Sequence, residues 1–306
     1  MGTLKGKNLR VMVIPSSAPA DPQCVALATN CTITLSTNTE DAATKEETGI
    51  SSRPVVTSKS WQVSVDSMNV TDMGTLLTAI KNQQLFKLMW DETSTTDNQT
   101  AVGAAFARGG LAYLNDATFQ FDDRTFSTKS IQFTGYGALA AIVDTPSSTE
   151  PPTGAAMTKG QYIRLFLSSD GTAAATKVIA AAKTLSFHTS LSLEDSTTKD
   201  TTGDWVIQEP TTLTFDISTS ALVRSGETVT SLVDGQTLND LETIHDNAVP
   251  VNFKIANVSG ANNRTAGAVI VSGKALLSSL TINGPVKQNA DYTAQLNGYG
   301  EYTVGS

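Results

Sequence analysis

Apolar and polar residues alternate along several short segments of the chain, and this alternation predicts β-strands. In residues 31–38 the odd positions 31, 33 and 35 are apolar and the even positions are polar, and residues 61–66 have the same parity. Successive side chains of a strand point to opposite faces, so each segment has one apolar and one polar face. A shift of one residue would expose the whole apolar set, and the register should therefore be firmly fixed.

The same alternation returns in the second half of the chain, at residues 185–192 and 213–218. Further alternating or apolar segments lie at residues 85–90, 118–121 and 130–133, and at 251–255, 269–271 and 292–296. Each half also contains one amphipathic helical pattern. Its apolar stripe is formed by Leu76, Leu77 and Ile80 in the first half and by Leu238, Leu241 and Ile244 in the second.

The two halves are related by an internal repeat. KGKNLRVMV at residues 5–13 matches KGQYIRLFL at 159–167, which is an offset of 154 residues. At the same offset, seven of fourteen positions are identical between residues 36–49 and 190–203. FTGYG at 133–137 later matches LNGYG at 296–300. Between them, Leu77 and Ile80 match Leu241 and Ile244. Four matches in the same order indicate a duplicated domain.

A segment rich in Pro, Ser, Thr and Gly separates the two copies and is typical of an exposed linker. We therefore predict one domain over residues 1–144, a linker over 145–158 and a second domain over 159–306. The predicted fold class is mainly β, with two tandem β-sandwich or barrel domains. Each domain has one packed α-helix and a long polar hairpin loop, at about residues 39–59 and 195–211. Matched loop sequences suggest a contact that both copies make.

Composition narrows the function classes. The net charge is −8 and charged residues make up only 16% of the chain. A protein that grips phosphate backbones needs a basic patch, and none is visible in the sequence. No segment is apolar over the roughly 20 residues needed to span a bilayer, and the N-terminus has no signal-peptide pattern. We expect a soluble protein with no membrane contact.

The sequence contains no motif that combines the residue types needed for catalysis. Only two histidines, His188 and His245, are present, and the first copy has Thr34 where the second has His188. Cys31 corresponds to Leu185, which indicates a core position rather than a nucleophile. The acid pairs at 40–41 and 194–195 lack the spaced ligands of a calcium loop. We predict no enzyme activity, no metal site and no cofactor.

Two segments carry a resemblance to a known family. KSWQVSVDSM at residues 59–68 and EDAATKEETG at residues 40–49, in this order before a helix, resemble the major tail proteins (tail tube proteins) of long-tailed bacteriophages of the lactococcal siphophage type. The second copy departs from the pattern, with Leu213 or Phe215 near the place of Trp61 and a proline at position 210. Its membership in the family rests on the duplication.

The resemblance implies a structural virion protein that polymerises into stacked rings, through which double-stranded DNA passes without specific binding. A duplicated chain would supply two of six wedges, so three chains should close a pseudo-hexameric ring. The implied partners are further copies of the chain and the tape-measure, tail-tip and tail-terminator proteins. The implied location is the phage tail, assembled in the cytoplasm of the bacterial host.

The polar stripes are the candidates for the lumen surface, because small hydroxyls and scattered carboxylates do not hold phosphates. They are Thr32, Thr34, Ser36, Gln62, Ser64, Asp66, Ser186, His188, Ser190, Thr214, Asp216 and Ser218. The matched loops are the candidates for ring-to-ring contacts, through Glu40, Asp41, Thr44, Lys45, Gly49, Glu194, Asp195, Thr198, Lys199 and Gly203.

Two alternatives stay open at this point. A tandem β-sandwich surface adhesin or carbohydrate-binding module also has an acidic, Thr-rich composition, although it should carry a secretion signal and exposed aromatic platforms. The inner tube of a contractile tail is a second alternative within the structural class.

Overall fold

The computed structural model describes residues 6–15, 23–25, 27–42, 53–68, 70, 72–93, 107–141, 157–201, 203–223, 235–259 and 265–305. Its first half, residues 6–141, begins with a short 3-10 helix, Gly6–Asn8. The elements that follow are β1 (Leu9–Pro15), β2 (Gln23–Cys24), β3 (Ala28–Asp41), β4 (Pro54–Ser67), α1 (Met73–Lys81), β5 (Leu85–Glu92), β6 (Arg108–Asp122) and β7 (Thr128–Ala141).

The second half, residues 157–305, begins with a 3-10 helix as well, Gly160–Tyr162. The elements that follow are β8 (Ile163–Leu167), β9 (Lys177–Ile179), β10 (Ala182–Asp195), β11 (Gln208–Leu222), β12 (Gly235–Gln236), α2 (Leu238–Asn247), β13 (Val251–Ser259), β14 (Thr265–Asn283), β15 (Asp291–Gly298) and β16 (Thr303–Val304). Apart from the short strands β12 and β16, the order of elements is that of the first half.

The strands of the described residues form one open sheet. In the first half neighbouring strands follow the order β2-β1-β5-β6-β7-β4-β3, and in the second half the order is β9-β8-β13-β14-β15-β11-β10. Antiparallel pairing of β6 with β10 joins the halves. The prediction of a mainly β fold with one packed helix in each half is therefore confirmed.

Strands β3 and β4 form because one face of their hairpin is apolar. Trp61, Val63 and Val65 are buried on this face and pair with Leu35, Ile33 and Cys31 of β3. The hairpin continues beyond the predicted strands, since Asp41 still pairs with Pro54. The predicted polar connection over residues 39–59 is therefore too long, and so is the one over 195–211. Residues 36–41 of β3 and 57–60 of β4 are polar on both faces, so no alternation marks this part of the hairpin.

The two helices pack their predicted apolar stripes into the core. Helix α1 buries Leu76, Leu77 and Ile80, and α2 buries Leu241 and Ile244, whereas Leu238 is only half-buried. The carboxylate of Asp72, directly before α1, pairs with the ammonium group of buried Lys129 in β7. Burial lowers the pKa of Lys129, while the neighbouring Asp72 raises it and keeps the charge satisfied.

Helix α2 begins with a capping box. The hydroxyl of Thr237 accepts a hydrogen bond from the backbone N–H of Asp240, and the Asp240 carboxylate accepts one from the backbone N–H of Thr237. Such reciprocal bonds satisfy backbone donors that the first helical turn leaves free.

Unusual backbone conformations recur at matching places in the two halves. Non-glycine residues with a positive φ are uncommon, because the side chain then crowds the backbone. Six occur in the described residues, and they form three pairs: Leu27 with Ala181 before β3 and β10, Gln83 with Ala248 after the helices, and Arg124 with Lys287 in the turns after β6 and β14. The glycines of the repeated GYG sequence, Gly137 and Gly300, have φ values of +73° and +77°.

One hydrophobic core runs through both halves, and an aromatic ring lies over a glycine in each. The Trp61 ring packs against Gly135, where an added Cβ would lie 2.2 Å from the ring. The Phe215 ring packs against Gly298 in the same way, at 2.5 Å. Phe215 therefore occupies the place that Trp61 has in the first half.

No helix in the described ranges is long and apolar enough to cross a membrane. The predicted linker lies outside the described residues, except for Met157 and Thr158.

Candidate functional site

Polar side chains cover one face of the sheet across both halves. Residues directly opposite each other on paired strands lie on the same face, so the registers define rows that cross the strands. One row consists of Thr32, Ser64, Gln132, Asp116, Ser190 and Thr214. The next consists of Asn30, Asp66, Ser130, Thr118, His188, Asp216 and Asn297. A third consists of Thr128, Gln120, Ser186, Ser218, Gln295 and Ser279.

All twelve residues predicted for a lumen lie on this face, which we call the polar face. Nine of them belong to the three rows, and Thr34, Gln62 and Ser36 lie on the same side of β3 and β4. Sequence reasoning missed the contributions of β6, β7, β14 and β15, among them Asp116, Gln132 and Gln295. The alternation in residues 118–121 and 130–133 was a usable signal for two of these strands.

The charges on the polar face are almost all negative. The three rows contain the carboxylates of Asp66, Asp116 and Asp216 and no Lys or Arg side chain. His188 is the one basic residue in these rows. A surface of hydroxyls, amides and carboxylates offers no cationic site to a phosphate backbone.

His188 bridges the two halves on this face. Its Nε2 lies 2.8 Å from Oδ2 of Asp116 in β6, and its Nδ1 lies 2.7 Å from Oδ1 of Asp216 in β11. The hydrogen bond with Asp116, followed by the one with Asp216, raises the pKa of His188 from 6.5 to about 10. The imidazole is therefore protonated at neutral pH, and both nitrogens donate to carboxylates.

This bridge predicts a pH-dependent stability. Because the pKa of His188 is raised in the folded state, the protonated imidazole stabilises the fold fully below the unfolded pKa of 6.5. This contribution is lost as the pH rises through about 10. We expect the melting temperature of His188→Thr, which has the first-half residue at this place, to be a few degrees below wild type at pH 7. The difference should shrink by pH 10.5.

The control for this prediction is His245→Asn, because His245 lies half exposed at the end of α2. Calorimetric melting from pH 6 to 10.5 compares the three proteins, and other titrating groups cancel in the differences. A constant gap between wild type and His188→Thr would contradict the role of the charged imidazole.

The junction between the halves, which we call the seam, consists of the pairing of β6 with β10. Seven residues of β10, from Thr184 to Ser190, pair with residues Asp122 to Asp116 of β6. On the apolar side, Phe187 lies opposite Phe119 and both are fully buried. Here helix α1 of the first half contacts the C-terminal segment of the second, through a hydrogen bond of 3.0 Å from the Tyr302 hydroxyl to the Leu77 carbonyl.

The loop between β10 and β11 also contacts the first half. The Lys59 ammonium group lies 3.2 Å from the Asp204 carboxylate, and the backbone N–H of Val206 donates to the carbonyl of Lys59. The N–H of Gly137 in turn donates to the carbonyl of Val206. This loop therefore makes a contact between neighbouring halves.

The residues predicted for ring-to-ring contacts fall into three groups. Glu40 and Asp41 lie at the end of β3, and Glu194 and Asp195 at the equivalent end of β10. Thr198, Lys199 and Gly203 lie in the loop that follows β10. Thr44, Lys45 and Gly49 lie outside the described residues. In the part of the chain that is described, no three His, Cys, Asp or Glu side chains cluster as they would around a metal ion.

Residues 157–304 match the family model described as phage tail tube protein. Three solved structures are similar at low identity. The tail of an empty GTA particle has 15% identity and a TM-score of 0.38, covering 49% of this chain and 100% of that one. The virion of a native gene transfer agent has 14% identity and a TM-score of 0.34, covering 49% of this chain and 99% of that one. The SPP1 tail tube has 16% identity and a TM-score of 0.35, covering 48% of this chain and 78% of that one.

No curated protein matches the chain. The family model covers the whole second half, including the seam strand β10 and the predicted loop residues of that half. Residues 157–304, about half of the chain, therefore match the phage tail tube protein family.

Proposed function

We propose that three copies of this chain close into a pseudo-hexameric ring, and that such rings stack into the tail tube that conducts DNA. The structural tail tube role follows from the family. The observation that carries the further proposal is the polar face, which continues without interruption from the first half into the second through the seam.

The proposal requires both halves to be copies of one tube domain. The order of strands in the sheet is the same in both, and the three pairs of positive-φ residues recur at equivalent places. The contact of an aromatic ring with a glycine, Trp61 with Gly135 and Phe215 with Gly298, also recurs. These details support a duplication, with the domains at residues 1–144 and 159–306. The family match to the second copy then extends to the first.

The polar face has the size and chemistry that a DNA channel needs. Four strands of each half contribute to it, β3, β4, β7 and β6 in the first and β10, β11, β15 and β14 in the second. Six such halves give about 24 strands, and at about 4.8 Å per strand the circumference is about 115 Å and the diameter about 37 Å. Without Lys or Arg in its rows, this surface lets phosphates pass rather than bind.

We assign contacts between stacked rings to the ends of β3 and β10 and the segments that follow them, which contain the matched residues at 40–49 and 194–203. The contact of Asp204 with Lys59 suggests that each loop also braces its neighbour within the ring. On this proposal the chain is no enzyme. It assembles in the host cytoplasm, functions in the virion, and meets the tape-measure, tail-tip and terminator proteins.

Electron microscopy of the purified, concentrated protein tests the proposal, with the mass in solution measured alongside. We expect hollow tubes with three chains per ring. Gold attached at Thr214→Cys should appear inside the tube, and gold at Glu242→Cys on α2 should appear outside, both in a chain whose native cysteines are replaced by Ser. Six chains per ring would contradict the duplication, and outside density from Thr214→Cys would contradict the assignment of the lumen.

A further inference from the structure

The two outer strands of the polar face have unpaired edges. Strand β6 pairs with β5 through residues 108–113 and with β10 through residues 116–122, on the same edge. Its counterpart β14 pairs with β13 only through residues 265–275. Within the described ranges, residues 276–283 of β14 have no partner on that edge, and β3 pairs only with β4. Unpaired edges of this length are templates for strand addition.

Apolar side chains at these two edges are exposed, whereas their counterparts at the seam are buried. Leu35 on β3 is 62% exposed and Ile282 on β14 is 50% exposed. At the seam, the positions equivalent to them are Thr189 and Phe119, and both are fully buried. The same kind of strand edge is therefore covered at the seam, within the chain, and uncovered at β3 and β14.

We propose that β3 of one chain pairs antiparallel with residues 279–284 of the next chain, in the register of the seam. This inference rests on the proposed ring and specifies its contact between chains. The occupant of the edge is a second copy, because a continuation of the seam requires a strand with the sequence pattern of β3 or β10. Within one chain, β10 is already used.

The register follows from two offsets. Residues of β10 correspond to residues 154 positions earlier in β3, because the two strands have matching bounds. Residues of β6 correspond to residues 163 positions later in β14, and an irregularity of register recurs at the same place, between Leu114 and Asp116 and between Leu277 and Ser279. Transferring the seam pairs then places Leu35 opposite Leu280, Ile33 opposite Ile282, and Cys31 opposite Gly284 of the next chain.

The side chains at this interface compensate one another in size. At the seam, Phe187 faces Phe119 and the adjacent pair is small, Thr189 with Ala117. Between chains, Ile33 and Ile282 replace the two phenylalanines, while Leu35 and Leu280 replace the small pair. Over these two pairs, the smaller isoleucines are offset by the larger leucines, and such exchanges are tolerated best. The third pair on this side, Leu185 with Phe121 at the seam, becomes the smaller Cys31 with Gly284.

The polar side of this interface has no charge. At the seam, Asp116, His188 and Asp216 form an ionic bridge. The equivalent positions of the contact between chains hold the uncharged residues Ser279, Thr34 and Gln62. No buried charge is left without a partner, so the pairing is chemically permitted. The contact between chains also lacks the ionic bridge that holds the two halves together.

A single substitution tests the register, because Cys31 already lies on β3. Directly opposite residues of antiparallel strands have Cα atoms about 4.5–5.5 Å apart, within the range of a disulfide. An added Cβ at Gly284 would meet no heavy atom within 4 Å. We expect oxidised tubes of Gly284→Cys to contain chains linked through Cys31, with a covalent trimer as the largest product, because a ring of three closes on itself.

The matched control is Asn283→Cys, which adds a thiol one residue away on the opposite face of β14. Mass spectrometry of the linked peptides identifies the bonded residues. If tubes form and Gly284→Cys gives no more linkage to Cys31 than Asn283→Cys, the register is overturned while the proposed function stands. If neither variant nor wild type forms tubes or rings, the proposed function itself fails, and the interface fails with it.

Discussion

Replacing Trp61 with Ala should lower the free energy of unfolding by about 3–5 kcal/mol, which is the usual cost of removing a large buried aromatic side chain. The Trp61 ring is buried against Gly135 and lies 6.0 Å from the ring of Trp90. Its Nε1–H donates to the carbonyl of Gly137 at 3.0 Å, so the substitution also removes a hydrogen bond near the repeated GYG turn. Urea unfolding followed by tryptophan fluorescence and by circular dichroism measures the change.

The glycine under the ring provides the complementary substitution. In Gly135→Ala the new Cβ would lie 2.2 Å from the Trp61 ring, so either the ring or β7 must move. Overpacking of this kind costs about 1–3 kcal/mol or more. The control is Gly6→Ala, where an added Cβ meets nothing within 4 Å. In the double variant, Trp61→Ala with Gly135→Ala, the two losses should be less than additive. Fully additive losses would show that the ring and the glycine do not act as a pair.

Strands β3 and β4 and helix α1 show how far the sequence could predict the fold. Strands β3 and β4 were predictable because a single face of each is apolar, which leaves an alternation of period two. The paired ends of these strands were not predictable, because Thr, Ser and Lys occur there on both faces. Helix α1 was predictable from the spacing of Leu76, Leu77 and Ile80, because only one side of it is covered.

The repeat was visible in the sequence, which left Leu213 or Phe215 as the residue near the place of Trp61. Strand bounds and packing place Phe215 at Trp61 and Thr219 at Val65. A buried threonine disguised the apolar pattern. Its hydroxyl donates to the carbonyl of Thr184 at 2.8 Å, which satisfies the polar atom inside the core.

The seam itself could not be predicted from local patterns. It joins residues that are about 70 positions apart, and its apolar side shows only the alternation that any strand of the sheet has. His188 looked like an isolated histidine because its partners, Asp116 and Asp216, come from two other strands. The twelve predicted polar residues do lie on one face, yet that they line a channel stays a prediction.

A charge placed on the exposed edge of β3 should abolish tube formation without unfolding the chain. Leu35 is 62% exposed, so Leu35→Glu should change the melting temperature of the separate chain by little. In the proposed interface, however, the carboxylate would be buried opposite Leu280 of the next chain with no partner, and an unpaired buried charge costs several kcal/mol. We expect at least a tenfold loss of sedimentable tubes. The matched control is Ser36→Glu, which adds the same charge one residue away on the polar face and should still assemble. Normal tubes from Leu35→Glu, or equal losses from both variants, would contradict pairing through this edge.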